Sequence, residues 1–568
     1  MTISRLSSLK LLTALTFTSW GLTIIISLAT PAAGSTGSST VPVPPFLRYL
    51  TESDLNAARQ LAKDRHEQAV KDALTNFPID DIPCSPEDDQ ATVANTPVKE
   101  HPVTLSSKLP DFHDELPSSI FESLKPLLTR EECAHVIQMA DEHFGGNEWT
   151  ALPAGEYKMR GFKLKDVPAI REFIVEVFRK RFIPIVQHTN PKFAASIADL
   201  ALDNCYLMKF TPATGARMDI HCDDGCLSFT IQMNPREEYV GGGTWFEGLA
   251  DARGDTDNHA AGIVKMDVGH VHFRAGAIRH CGFTITEGKR YVIGGFGIHR
   301  SKTEHVRLLM RGNTDDEMQL SLPAVVALNP EYDEGYAMLA HDWDVRQGRA
   351  DDAKEVLEYC LEHVNPKCSK VAFSLGVRHY RREGKHDKVM DCMKIVLQYD
   401  PYDVLAMAAM ADAASEVGDV AVEKEMYERI VQVAGVSPER KANAYRDLGL
   451  LHKGRDLQVE IDCYQKAVEA HDNYHARYSL GRALFQAGEL EKARESFLAA
   501  YSQDDTSVGA LKAIYRTAKT ILEKDASLSD SDDLAKAQRM IELVGGEENH
   551  SKIQSMMANP FGTLPLPQ

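Results

Sequence analysis

The chain has 568 residues, of which 43% are hydrophobic, and a formal charge of −19. That length exceeds one ordinary core and implies two or three domains, while the apolar content is enough to fold most of them. So acidic a balance argues against nucleic-acid binding, which needs a basic face.

Arg5 and Lys10 precede Leu11–Thr30, twenty residues without a charge, long enough for a helix to cross a bilayer. The positive flank keeps that end cytoplasmic and sends the remaining chain across the membrane. Small residues at 29–34 offer a cleavage site, but the length of the apolar run favours a signal anchor over a cleaved signal peptide for residues 1–34. The expected location is the endoplasmic reticulum or Golgi membrane, single-pass with a lumenal domain, or alternatively outside the cell. Ten cysteines are too sparse for a disulfide scaffold. Residues 35–112 read as a stalk: a Ser/Gly/Thr/Pro-rich run over 35–48, one helical segment through Leu55, Ala58, Leu61, Ala62, Ala69, Ala73 and Leu74, and a Pro- and Asp-rich linker over 78–112.

Over 113–305 the pattern is mixed. EECAHVIQMADEHF (Glu131–Phe144) and AIREFIVEVFRKRFIPIV (Ala169–Val186) have helical spacing. The runs NCYLMKF, CLSFTIQMN, GGGTWFEG, AGIVKMDVG, VHFRAG and KRYVIGGFGI then alternate as short strands, separated by glycine and proline. Such a series predicts a sandwich, barrel or jelly roll. Over 323–520 the strands stop. Asn329-Pro330, Asn365-Pro366 and Asp400-Pro401 recur with a period of about 35 residues, that of helical hairpin repeats. Leu480, Gly481, Ala493, Phe497 and Ala500 carry the clearest unit, which resembles the tetratricopeptide repeat; Leu375-Gly376 and Leu448-Gly449 fit the same place in earlier units. Four or five units are expected, with a capping helix and tail over 521–568.

The chemistry concentrates at MDIHCDDGCLSFTIQMN. On a strand, His221 and Asp223 point to one face while Cys222 turns away. Two imidazoles and a carboxylate on one side of an octahedral iron leave three positions for substrate and oxygen. His280, at the head of HCGFTITEGKRYVIGGF, is the best candidate for the second imidazole, and Arg290 follows ten residues later, able to grip a carboxylate through two parallel hydrogen bonds.

The order HCD, FTIQMN, GGGTWF, GHVHF, HCG and KRYVIGGF resembles the 2-oxoglutarate- and Fe(II)-dependent oxygenases of the prolyl and lysyl hydroxylase group, over about residues 118–300. The resemblance implies a double-stranded β-helix (jelly roll), Fe(II) held by His221, Asp223 and His280, and Arg290 on the distal carboxylate of 2-oxoglutarate. With O2 and ascorbate, the implied activity hydroxylates a peptidyl residue, prolyl or lysyl, and releases succinate and carbon dioxide. Phe210 stands where many relatives carry a tyrosine near the co-substrate, so Tyr206 is the substitute contact, and Thr230 offers a hydroxyl beside Arg290. Animal collagen prolyl hydroxylases usually carry lysine where Arg290 stands. Gly241–Gly243 read as a turn or bulge, and Lys289 as solvated.

The expected partner is a polypeptide substrate held by the repeats, although the relatives that combine such helices with a catalytic domain usually place them before it. A sugar, lipid or small metabolite stays open as substrate. Two other classes compete: a membrane-tethered repeat scaffold with an inactive oxygenase domain, and a zinc module using Cys222, Cys226 or Cys281. The complete set of three ligands plus Arg290 favours activity. His259, His270 and His272 read as surface or packing residues, one of the last two a candidate for the pocket.

Overall fold

The computed structural model describes residues 44–83, 96–109, 115–145, 149, 159–213, 215–223, 225–255, 258–310, 315–504 and 507–524. The apolar run Leu11–Thr30 and the tail beyond 524 lie outside the described residues. Among those described, no helix is long and apolar enough to cross a membrane.

Helix α1 (Glu52–Asn76) opens with a capping box, Thr51 and Asp54 each accepting the other's backbone N–H, which satisfies two donors that a helix start leaves orphaned. Its buried face is small: Ala58, Ala62, His66 and Ala73. Arg65 donates to the Leu308 carbonyl at 2.9 Å and pairs with Glu317 at 3.1 Å. The segment expected to be part of a stalk is therefore packed into the body. The linker expected over 78–112 contains a strand, β1 (Val98–Pro102), paired antiparallel with β2 (Ser119–Ser123). VKEHP is an edge strand that buries little, so it lacks the apolar alternation by which a strand is recognised.

Helix α2 (Arg130–Phe144) starts at a second capping box, Thr129 with Glu132. After β3 (Arg160–Lys163), the single helix expected at Ala169–Val186 is divided into α3 (Pro168–Val177) and α4 (Ile183–Thr189) by a π turn at Phe178–Phe182. The strands follow: β4 (Leu200–Phe210), β5 (Leu227–Gln232), β6 (Tyr239–Gly241), β7 (Thr244–Phe246), β8 (Ile263–Val264), β9 (Val271–Ala275), β10 (His280–Gly282), β11 (Ile285–Gly288) and β12 (Arg290–His299). Seven form one sheet in the order β1-β2-β9-β5-β12-β4-β3; β10-β7-β8 and β11-β6 make smaller ones. On one face of the large sheet Phe182 packs on Phe229 and Phe273, with ring centroids 4.6 and 5.5 Å apart. Each such ring stabilises by about 2–3 kcal/mol through burial. Because side chains alternate along a strand, the opposite face presents Thr230, Arg274 and Arg290, which line a cavity shared with the small sheets.

After α5 (His305–Met310) and α6 (Asp315–Leu328) the chain is helical. Five hairpins follow among the described residues: α7 (Asp333–His341) with α8 (Ala350–Tyr359), α9 (Ser369–Ser374) with α10 (His386–Tyr399), α11 (Val404–Val417) with α12 (Val420–Gln432), α13 (Pro438–His452) with α14 (Leu457–Ala470), and α15 (Tyr474–Ala487) with α16 (Leu490–Gln503). A lone helix, α17 (Val508–Lys524), ends the described part. The glycines singled out in the repeats sit where two helices touch. A Cβ on Gly481 would lie 2.7 Å from the Phe497 ring, and one on Gly449 2.6 Å from Tyr464. The small residue admits the large one across the hairpin.

Sheet body and repeats belong to one compact unit, Val41–Gln568, joined by buried charge. Arg217 grips Asp400 with two hydrogen bonds, at 2.5 and 3.3 Å. Arg279 reaches Asp333 at 2.5 Å, Glu334 at 3.5 Å and Glu247 at 3.6 Å. Between these pairs, Trp245 meets Tyr399 edge-on at 5.6 Å and stacks on His259 at 4.8 Å.

Candidate metal centre

His221 and His280 come together by backbone pairing: each donates its N–H to the other's carbonyl, both at 3.0 Å. His280 opens β10, whereas the His221–Asp223 segment is irregular chain leading into β5, tied to it by that one bridge. The strand expected there is irregular chain with a single isolated bridge, yet the two side chains still converge. Asp223 Oδ1 lies 3.4 Å from His221 Nε2, and its Oδ2 lies 3.3 Å from His280 Nε2. One potential ligand atom from each of the three residues falls within 4.8 Å of the others.

The tautomers follow from the partners. His221 Nδ1 faces the Asp219 carbonyl at 2.8 Å and His280 Nδ1 the Ile278 carbonyl at 3.1 Å. A carbonyl only accepts, so each Nδ1 carries a proton; His280 Nε2, which accepts from Arg274, turns its lone pair to the centre, whereas His221 Nε2 shares a proton with Asp223 that a metal would have to displace. Burial and the Arg274 charge push His280 well below the usual histidine range, which keeps it neutral. For Asp223, burial alone would raise the carboxyl, but the positive field of the site, with the Arg274 guanidinium in contact and His221 hydrogen-bonded to it, outweighs burial and holds the group well below the usual carboxylate range. For His221, burial is likewise outweighed, by the hydrogen bond and charge of Asp223, and the ring's pKa is raised.

Arg274 went unrecognised in the sequence. Its Nη2 donates to Asp223 Oδ2 at 2.7 Å and to His280 Nε2 at 2.5 Å. Its Nε and Nη1 are buried without a partner. The sequence carries a signal for it: His272 follows the strand period of VHFRA, and Arg274 lies two residues on, on the same face. His272 itself is buried, with Nε2 3.2 Å from the Thr244 hydroxyl.

Arg290 is 2% exposed, and its partners are neutral: Gln232 Oε1 at 3.0 Å, the Gly243 carbonyl at 2.9 Å, and Tyr239. Burial lowers its pKa. Gly242, with φ of 63°, faces both groups, since a Cβ there would lie 2.8 Å from the Tyr239 ring and 3.2 Å from Arg290 Cδ. The glycine run is thus a close-fitting turn that presents a carbonyl to the arginine. Phe210 lies under the guanidinium at 5.5 Å, and the tyrosine beside Arg290 is Tyr239. Tyr206 and Thr230 line the same narrow cavity, about 70 Å³, together with Arg274, Arg290 and the three ligand residues. Asn204 Nδ2 donates to the Tyr206 hydroxyl at 3.0 Å. Lys289 is exposed.

Cys222 turns away from the centre, its thiol on the Ala277 carbonyl at 3.3 Å. Burial pushes Cys222 and Cys281 up to about 12, and neither thiol belongs to the group of ligand atoms that converges at the centre. The described cysteines are all unpaired.

A tetratricopeptide-repeat family model matches residues 453–508, which span α14, α15 and α16. The C-terminal part is accordingly a helical solenoid of this type, a fold that commonly binds peptides or protein partners through its concave surface. Similar solved structures include MamA, 24% identical, with 30% of this chain and 95% of that one covered and a TM-score of 0.25. PilF of Pseudomonas aeruginosa is 16% identical over 39% of this chain and 96% of its own, with a TM-score of 0.30. YrrB, described as a tetratricopeptide protein with an unusual peptide-binding site, is 15% identical over 36% and 99%, with a TM-score of 0.28. No curated protein matches the chain.

Proposed function

We propose that the sheet-rich body is a 2-oxoglutarate- and Fe(II)-dependent dioxygenase of jelly-roll type that hydroxylates a prolyl or lysyl residue of a polypeptide. The observation that carries this reading is the charge inside the narrow cavity. Two guanidiniums, Arg274 and Arg290, are buried there with Asp223 as the carboxylate in contact, and Arg290 has only neutral partners. A buried charge without a counter-ion costs several kcal/mol, and a dianion between the three-ligand centre and Arg290 would remove that cost. The unpartnered Nε and Nη1 of Arg274 support the same fit.

In this reading His221, Asp223 and His280 hold Fe(II) through Nε2, a carboxylate oxygen and Nε2. Arg290 binds the distal carboxylate of 2-oxoglutarate, with Thr230 and Tyr206 along its path. Arg274 holds the Asp223 oxygen and lends positive charge beside the co-substrate. The iron, with O2 and 2-oxoglutarate, supplies oxidation of an unactivated C–H bond, and ascorbate supports turnover; the protein's part is to position the carbon and exclude water. The apolar run behind Arg5 and Lys10 supports a place in the secretory pathway.

The test is succinate release by the full chain supplied with Fe(II), 2-oxoglutarate, ascorbate and O2. Iron-dependent succinate that vanishes in His221→Ala and falls at least a hundredfold in Arg290→Ala is the expected result. If the folded protein binds neither iron nor 2-oxoglutarate under anaerobic conditions, the enzyme reading fails.

A further inference from the structure

A second, larger cleft of about 820 Å³ lies on the other side of His221. Its near wall is the irregular segment Asp219–Cys222; its far wall belongs to α7, α9, α10 and α11 of the repeats. His221 lines both this cleft and the narrow cavity that holds Arg290, and its side chain is 33% exposed. We infer that this cleft is the substrate site and that its occupant is an extended polypeptide segment, laid across the first helices of three successive repeats with its reacting residue at His221. The inference rests on the oxygenase reading above and adds where the substrate lies and what shape it has.

Shape comes from the helices. The far wall includes Glu334 and Met338, one turn apart on α7, then Lys370 and Phe373 on α9, and Leu405 on α11. These are the opening helices of consecutive hairpins. Helices pack about 8–10 Å apart, so three side by side span about 20 Å, the reach of roughly six residues of extended chain. A compact metabolite would use one end of such a surface.

Chemistry comes from what is left unpaired. Lys370 pairs with Glu334, Arg378 with Asp344 and Asp400 with Arg217, and Asp403 caps α11, so these charges of the lining are met within the protein. The apolar groups are open by comparison: Leu405 is 40% exposed, and Phe373 and Met338 are half-buried. The surface offers apolar contact between balanced charges, which favours a peptide with apolar residues flanking its target over a polyanion or a sugar. Arg217 and Arg279 keep the two walls at a fixed separation, since each crosses from the sheet body to the repeats.

The experiment uses the full chain loaded with Mn(II) and 2-oxoglutarate. A display library of twelve-residue random peptides with lysine or proline at the centre is selected on it. The enriched peptides are then labelled, and their affinity is measured by fluorescence anisotropy. Leu405→Glu, at an exposed position, and Phe373→Glu should each weaken binding at least tenfold, whereas Leu498→Glu, exposed on α16, should not change it. No enrichment over a blank support, or equal affinity in the wild-type and Leu405→Glu proteins, overturns the inference. Iron-dependent succinate release by the unaltered protein reports separately on the oxygenase reading, so a failure of that reading is distinguished from a failure of the peptide site.

Discussion

The Arg279 guanidinium lies 2.5 Å from the Asp333 carboxylate, both side chains nearly or wholly buried, and the residue that follows Arg279 is His280. The first helix of the repeats is therefore one side chain away from the candidate metal centre. Asp333 is held in turn by Asn365 at 2.7 Å and Ser107 at 3.1 Å. Breaking a buried pair by removing one partner costs about 3–5 kcal/mol. Asp333→Ala should fall at the lower end, near 3 kcal/mol, because Glu247 and Glu334 also face Arg279. Chemical unfolding monitored by far-UV circular dichroism measures it. A loss under about 1 kcal/mol would mean the pair is solvated in solution.

Arg274 donates to the lone pairs that a metal would use on Asp223 and His280. Arg274→Met should raise Mn(II) affinity about tenfold in the absence of 2-oxoglutarate, since a like charge leaves the neighbourhood of the ion. The same variant should weaken 2-oxoglutarate binding to the Mn(II) form about tenfold or more. Calorimetric titration of each ligand separates the effects. If Mn(II) affinity falls instead, orienting Asp223 is the residue's larger contribution.

Gly481→Ala gains about 1 kcal/mol of helix propensity but sets a methyl 2.7 Å from the Phe497 ring. Overpacking of that kind costs about 1–3 kcal/mol, so the net effect is a loss near 1 kcal/mol. A denaturant midpoint unchanged or raised would show that the hairpin relaxes freely.

His259 stacks on Trp245 at the junction, and burial lowers its pKa from 6.5 to about 4. The folded state therefore keeps the ring neutral while the unfolded chain protonates it. Between pH 6.5 and 4 the unfolded state binds more protons, so stability falls as pH drops through that window. At full effect the contribution is at most about 3 kcal/mol. In His259→Gln the difference in unfolding free energy between pH 7 and pH 4.5 should shrink by more than 1 kcal/mol; an unchanged difference would count against this assignment.

Much of the centre was legible because its geometry is encoded by short spacing: His221 two residues before Asp223, and His280 ten before Arg290. The repeats were legible for the same reason, through Asn329-Pro330, Asn365-Pro366 and Asp400-Pro401 and the Leu-Gly pairs. What escaped is long-range. Arg279 and Asp333 are 54 residues apart, and Arg217 and Asp400 are 183 apart; no local pattern announces such a pair. Asp400 read as the start of a repeat boundary and also proves to be an anchor for the sheet body. β1 escaped because an edge strand buries too little to leave a periodic trace.

The two arginine bridges set where the protein can be divided. A fragment stopped after His299, at the last strand, would keep Arg217 and Arg279 and lose Asp400, Asp333 and Glu334. Arg279 would keep only Glu247, Arg217 would lose the Asp400 carboxylate, and Trp245 would lose its Tyr399 neighbour. The natural seam for excision thus lies within the solenoid, beyond Asp400, and the early repeats travel with the sheet as a single block.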